Sequence, residues 1–68
     1  MQLVINSAGT FITQKDGLFR LKNKDKRFDV SPQKIESIVI SNQAMITTQA
    51  ITAAMENNID ILFLNGYG

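Results

Sequence analysis

Ile35-Glu36-Ser37-Ile38-Val39-Ile40-Ser41 is the stretch from which the fold can be read. Ile38, Val39 and Ile40 are apolar at consecutive positions, a pattern typical of a strand covered on both faces, so cover on each face is expected here. Polar residues from Ser41 to Gln43 break the run. From Thr47 to Asn58 the period becomes that of a helix: Ala50, Ile51, Ala54 and Met55 form one stripe, while Gln49, Thr52 and Glu56 lie off it. Thr47 is placed to cap the first turn, and Asn57-Asn58 to end the helix through left-handed backbone. The cap should be worth about 1 kcal/mol. Ile59, Ile61, Leu62, Phe63 and Leu64 make the most apolar strand, expected near the middle of its sheet. Strand, helix, strand with short loops is a crossover unit, so the two strands should run parallel with the helix across one face.

Upstream of this unit the chain alternates. Gln2–Asn6 and Thr10–Gln14 are β-prone runs separated by Ser7-Ala8-Gly9, which predicts a hairpin between them. Asp16-Gly17 predicts a second reversal, because a two-residue type I′ turn needs positive φ at both central positions. A strand should therefore begin at Leu18. Between Leu18 and Val30, Phe19, Leu21, Phe28 and Val30 fall on one face, with Arg20, Lys22, Arg27 and Asp29 on the other, around a reversal at Asn23–Lys26. Ser31-Pro32 stops the ladder, since proline has no amide hydrogen to donate. The expected class is α+β, mainly β: antiparallel hairpins or a meander, then a strand-helix-strand crossover, in one small sandwich-like or roll-like domain, 1–68, that contains a single helix.

Composition narrows the chemistry. Cys and His are both absent from the 68 residues, which removes disulfides, thiolate metal sites and imidazole bases. Net charge is +1, so attraction to nucleic acid must come from local clustering. No basic leader or long apolar run is present, and the expected compartment is the cytoplasm. A chain of this size buries only about 60% of its unfolded surface. A single small core rarely supplies more than about 3–5 kcal/mol, and with no disulfide or metal staple, association of sheets or edges between two copies, or docking onto a second domain, is the expected remedy. An isologous dimer is the commonest form.

Five of the seven basic residues, Arg20, Lys22, Lys24, Lys26 and Arg27, lie within eight positions, and a hairpin brings them to one rim and one face. They can be read as contacts to a nucleic-acid backbone, or as a solvated face that guards a strand edge. The acids Asp16, Asp25, Asp29, Glu36, Glu56 and Asp60 show no pairing suited to catalysis or to a metal. Phe19, Phe28 and Phe63 are expected in the core. The helix stripe is read as core too. Tyr67, among the glycines of Asn65-Gly66-Tyr67-Gly68, is open between interdomain packing and base stacking. This ending looks like the start of a turn toward further chain.

The ordered frame Met1–Asn6, Gly9-Thr10-Phe11, Lys15-Asp16-Gly17, Pro32 with Lys34–Ser41, Thr48 with Ala50-Ile51, Glu56–Ile59 and Phe63-Leu64 with Tyr67-Gly68 resembles the amino-terminal β domain of the CRISPR-associated endonuclease/integrase Cas-one. The resemblance implies a protein of the adaptation stage of CRISPR defence, which captures DNA and integrates it as spacers beside a small partner, Cas-two. It implies a strand-rich domain used for homodimer formation and for bracing double-stranded DNA. It also implies a helical catalytic domain, absent here, whose two acids and a histidine hold Mg²⁺ or Mn²⁺. No catalytic or metal-binding residue carries over to this chain. The alternative is a free-standing interaction or nucleic-acid-backbone-binding module.

Overall fold

A computed structural model describes residues 1–41 and 43–64. Among these, seven strands and one α-helix follow in order: β1 (Gln2–Ile5), β2 (Phe11–Lys15), β3 (Leu18–Asn23), β4 (Lys26–Val30), a 3₁₀ turn (Pro32–Lys34), β5 (Ser37–Ser41), β6 (Met45–Ile46), α1 (Thr48–Glu56) and β7 (Asp60–Leu64). They form a three-stranded sheet, β1-β5-β7, and a four-stranded sheet, β4-β3-β2-β6. The class is α+β and mainly β, as the residue pattern predicts.

The crossover unit forms as expected, with β5 and β7 parallel and Ile38 beside Ile61. The position of β7 is not as expected. It lies at an edge, because β1 occupies the other side of β5 in parallel register, Leu3 beside Ile38 and Ile5 beside Ile40. Gln2–Asn6 and Thr10–Gln14 therefore do not make a hairpin; β1 and β2 belong to different sheets. The Met1 amine donates to the Lys34 carbonyl at 2.7 Å, and the Glu36 amide to the Met1 carbonyl at 2.8 Å, which fixes β1 against the start of β5. Between β1 and β2 the chain passes from one sheet to the other through Gly9 at φ 81, whose amide donates to the Gln43 carbonyl. Cover on both faces of β5 is also overturned. Ile38 and Ile40 are fully buried on one face; on the other, Val39 is half-buried between Val4 and Leu62, each more than half exposed.

The two downstream reversals form where the sequence places them. Asp16 and Gly17 both have positive φ, 54 and 79, as a type I′ turn demands, and β2 pairs antiparallel with β3. In the β3–β4 reversal, Lys24 and Asp25 make the loop, and only Lys24 has positive φ, at 51. Glycine suits that position, so Lys24→Gly should stabilise the chain by about 1 kcal/mol, a rise of about 4–8 °C in melting temperature. Thermal denaturation followed by circular dichroism measures it; an unchanged midpoint would show that the left-handed backbone at Lys24 carries no cost.

Helix α1 is capped at both ends. The Thr47 hydroxyl accepts from the Ala50 amide at 3.2 Å. At the other end Asn58 is left-handed at φ 57, the Ile59 amide donates to the Ala54 carbonyl and the Asn58 amide to the Met55 carbonyl, which is a Schellman closure. Ala50 and Ala54 are fully buried, and the helix packs on β2 and β7. Of the rest of the stripe, Ile51 is half-buried and Met55 is 72% exposed, so the buried ridge is narrower than expected. Strand β6 was not legible in the sequence: two residues long, it joins β2 in parallel through Met45 N–H to the Thr10 carbonyl and Thr47 N–H to the Ile12 carbonyl, both 2.9 Å.

Among the described residues, Ile12, Phe19, Ile38 and Ile40 are the large side chains wholly removed from solvent. Phe19 thus lies in the core, whereas Phe28 and Phe63 are 63% and 65% exposed and do not. Both have the parity of the inner face, Phe28 opposite Leu21 and Phe63 beside Ile40, but each sits on an edge strand.

Candidate nucleic-acid interface

The outer face of the four-stranded sheet follows from strand parity. Ile12 and Leu21 are buried, so their neighbours Phe11, Thr13, Arg20 and Lys22 point the other way. Register assembles them into rows. Met45, Phe11, Lys22 and Arg27 run side by side across all four strands, and Thr13, Arg20 and Asp29 form the next row.

The five clustered basic residues separate into three groups. Arg20 is engaged: its Nε donates to Asp29 Oδ1 at 2.9 Å and its Nη2 to Oδ2 at 3.1 Å, a two-pronged pair across the strands. This hydrogen bonding holds the Asp29 carboxyl below its ordinary value and raises the guanidinium of Arg20. Lys22 and Arg27 are direct cross-strand partners and both exposed. Lys24 sits at the turn, and Lys26 has the opposite parity, facing the inner side with Phe28 and Val30. Lys15 belongs to the outer face as well, two positions beyond Thr13, and shares a shallow depression of about 410 Å³ with Phe11, Arg20 and Lys22. Sequence clustering missed Lys15 because it lies across the Asp16-Gly17 turn; the period of two from Phe11 would have found it. Tyr67 lies outside the described residues.

A second concavity, about 810 Å³, opens between β1 and the β3–β4 hairpin. Leu3, Ile5, Leu21, Phe28 and Val30 line it, together with Lys24 and Lys26. Phe28 is exposed because its inward-facing side borders this cleft and not the closed core.

A divalent cation requires several converging oxygen ligands. Among the described residues no group of three or more acidic side chains could hold one. Asp29 is committed to Arg20, and Glu36 lies 3.4 Å from the amino terminus. The described residues therefore do not fit a metal centre. Among them, no helix is long and apolar enough to cross a membrane.

With this geometry established, comparison with known proteins identifies the relatives. The family model described as CRISPR associated protein Cas1 matches residues 3–68. The chain is 32% identical over 63 residues to CRISPR-associated endonuclease Cas1 2 of Saccharolobus solfataricus, a match covering 93% of this chain and 20% of that protein. It is 30% identical over 69 aligned positions to CRISPR-associated endonuclease Cas1 1 of Archaeoglobus fulgidus, covering 100% and 20% respectively. The chain thus spans about a fifth of the length of the curated relatives it matches. Among solved structures, a TtCas1–DNA complex superposes with TM-score 0.84 at 11% identity, covering 96% of this chain and 22% of that one. A CAS1 protein from Thermotoga maritima gives 0.80 at 15% identity, with 96% and 21% covered. A casposase bound to integration product gives 0.76 at 19% identity, with 96% and 22% covered. The structural likenesses establish the fold, and the family match over nearly every residue establishes the lineage: this chain belongs to the CRISPR-associated Cas1 family.

Proposed function

We propose that the chain is the amino-terminal, non-catalytic scaffold of a CRISPR adaptation integrase, a cytoplasmic protein whose bond-breaking chemistry resides in polypeptide outside these residues. In this reading the β-rich domain holds two copies together and braces double-stranded DNA through backbone contacts from the basic β3–β4 hairpin. The parent enzyme is a Mg²⁺- or Mn²⁺-dependent DNA endonuclease and integrase that works beside Cas-two. The observation that carries the proposal is the family match over residues 3–68 within a region equal to one fifth of the relatives called endonucleases. The basic outer face supports the DNA part, as does the fold shared with proteins solved with DNA or with an integration product. The dimer part is supported by size, since one small core rarely supplies more than about 3–5 kcal/mol.

The test is biochemical. The purified chain, incubated with linear duplex DNA and Mg²⁺ or Mn²⁺, should produce no cleavage, and sedimentation should detect a concentration-dependent dimer. Cleavage that survives repurification would place catalysis within this chain and overturn the assignment. A monomer at every concentration would remove the dimerisation role.

A further inference from the structure

We propose that Lys22 and Arg27 form a clamp for a single phosphate group, a site whose two cations repel each other when empty and are reconciled when it is filled. The inference rests on the DNA-bracing reading above and narrows that role from five residues to two.

Lys22 and Arg27 are register partners on adjacent antiparallel strands, so their Cβ atoms lie about 4.5–5.5 Å apart. Like charges directly opposite one another destabilise a sheet. Among the described residues no ion pair closes on either cation: the ion pairs there are Met1–Glu36 and Arg20–Asp29, and the Asp29 carboxylate attracts Arg27 only at longer range. Asp29 lies on the same face as Arg27, two positions along, but both of its oxygens accept from Arg20. Phe11 and Met45 continue the row on the far side of Lys22 and contribute no charge. A phosphate group meets the need of this pair: the planar guanidinium offers a two-pronged donor and the ammonium a compact second charge, and the phosphate oxygens can accept from both. Arg20 serves instead to occupy Asp29, which leaves Arg27 without a carboxylate of its own.

The same chemistry could come from a nucleic-acid backbone or from a free phosphate compound, and two arms of the test separate them. In the first, the chain is melted with and without inorganic pyrophosphate. Pyrophosphate should raise the melting temperature of the wild type and leave that of the Lys22→Gln/Arg27→Gln double variant unmoved. No rise in the wild type would overturn the clamp. In the second arm, binding to a short duplex is measured against salt. Because either cation alone still neutralises a shared phosphate, each single glutamine variant should leave the log–log salt slope nearly unchanged, and the double variant should lower its magnitude by about 0.9. A fall of about 1.8 in the double variant would assign two separate phosphates and overturn the clamp.

Lys22→Glu should raise the melting temperature by about 2–6 °C while weakening binding, since the introduced carboxylate would face Arg27. A lowered or unchanged midpoint would show that the two cations do not repel. Arg20→Gln alone would release Asp29 to Arg27 and should diminish the pyrophosphate response, whereas Arg20→Gln/Asp29→Asn, which removes both partners, should leave the salt slope unchanged; a loss there equal to that of the Lys22→Gln/Arg27→Gln variant would move the site to Arg20. A pyrophosphate response without DNA binding would retain the clamp and discard the DNA-bracing role.

Discussion

Phe19→Ala should leave the chain without a cooperative unfolding transition, whereas Phe28→Ala, on the same face of the same hairpin, should shift stability by less than about 1 kcal/mol. Phe19 is fully buried and, among the described residues, is the largest side chain in that state. Truncating such a phenylalanine costs about 3–5 kcal/mol through lost transfer energy and the cavity left behind. A core of this size supplies about that much in total. Phe28 is already 63% exposed and lines an open cleft, so its removal creates no enclosed void. Urea titrations of both variants, followed by far-ultraviolet circular dichroism, make the comparison. A sigmoidal Phe19→Ala curve with a near-native midpoint would show that the core does not depend on this ring, and a Phe28→Ala loss as large as that of Phe19→Ala would show that the cleft is closed in solution.

The second large effect is expected from adding bulk. Ala54→Leu should destabilise the chain by about 1–3 kcal/mol or more, and Met55→Ala should be nearly silent. Ala54 has no contact with solvent, and its carbonyl also accepts the Ile59 amide that closes the helix. Added methylenes there must displace either the helix or its contacts with β2 and β7, and overpacked cores accommodate that displacement through off-rotamer side chains and backbone shifts. Met55 is 72% exposed. Thermal denaturation of the two variants decides the matter: an Ala54→Leu chain as stable as the wild type would mean that the helix rests loosely on the sheets.

Local features were readable wherever the physical cause was local. The Asp16-Gly17 turn follows from two residues that accept positive φ, the Thr47 cap from a hydroxyl placed before a helical stripe, and the stop after Val30 from proline. The parallel crossover of β5 and β7 followed from element order and handedness. Failures cluster where the cause is distant. Two β-prone runs around Ser7-Ala8-Gly9 look like a hairpin, yet β1 gains more by lying along β5, where Leu3 and Ile5 meet Ile38 and Ile40 on the inner face. That choice also displaced the most apolar strand, β7, to an edge and left Phe63 exposed.

The candidate site divided in the same way. Clustering of Arg20, Lys22, Lys24, Lys26 and Arg27 is visible in the residue string, and so is the alternation that sorts most of them. Which cation is already engaged is not visible, because it depends on Asp29 lying opposite Arg20 and not opposite Arg27.

From its residues alone this chain had its secondary elements apart from the two-residue β6, their class and its family pattern, since turns, caps and hydrophobic period act over a few neighbours. Sheet membership, strand order and the pairing of charges belonged to the tertiary structure. Those depend on which distant surfaces compete best for one small set of buried faces, and a local period is the same whichever partner wins.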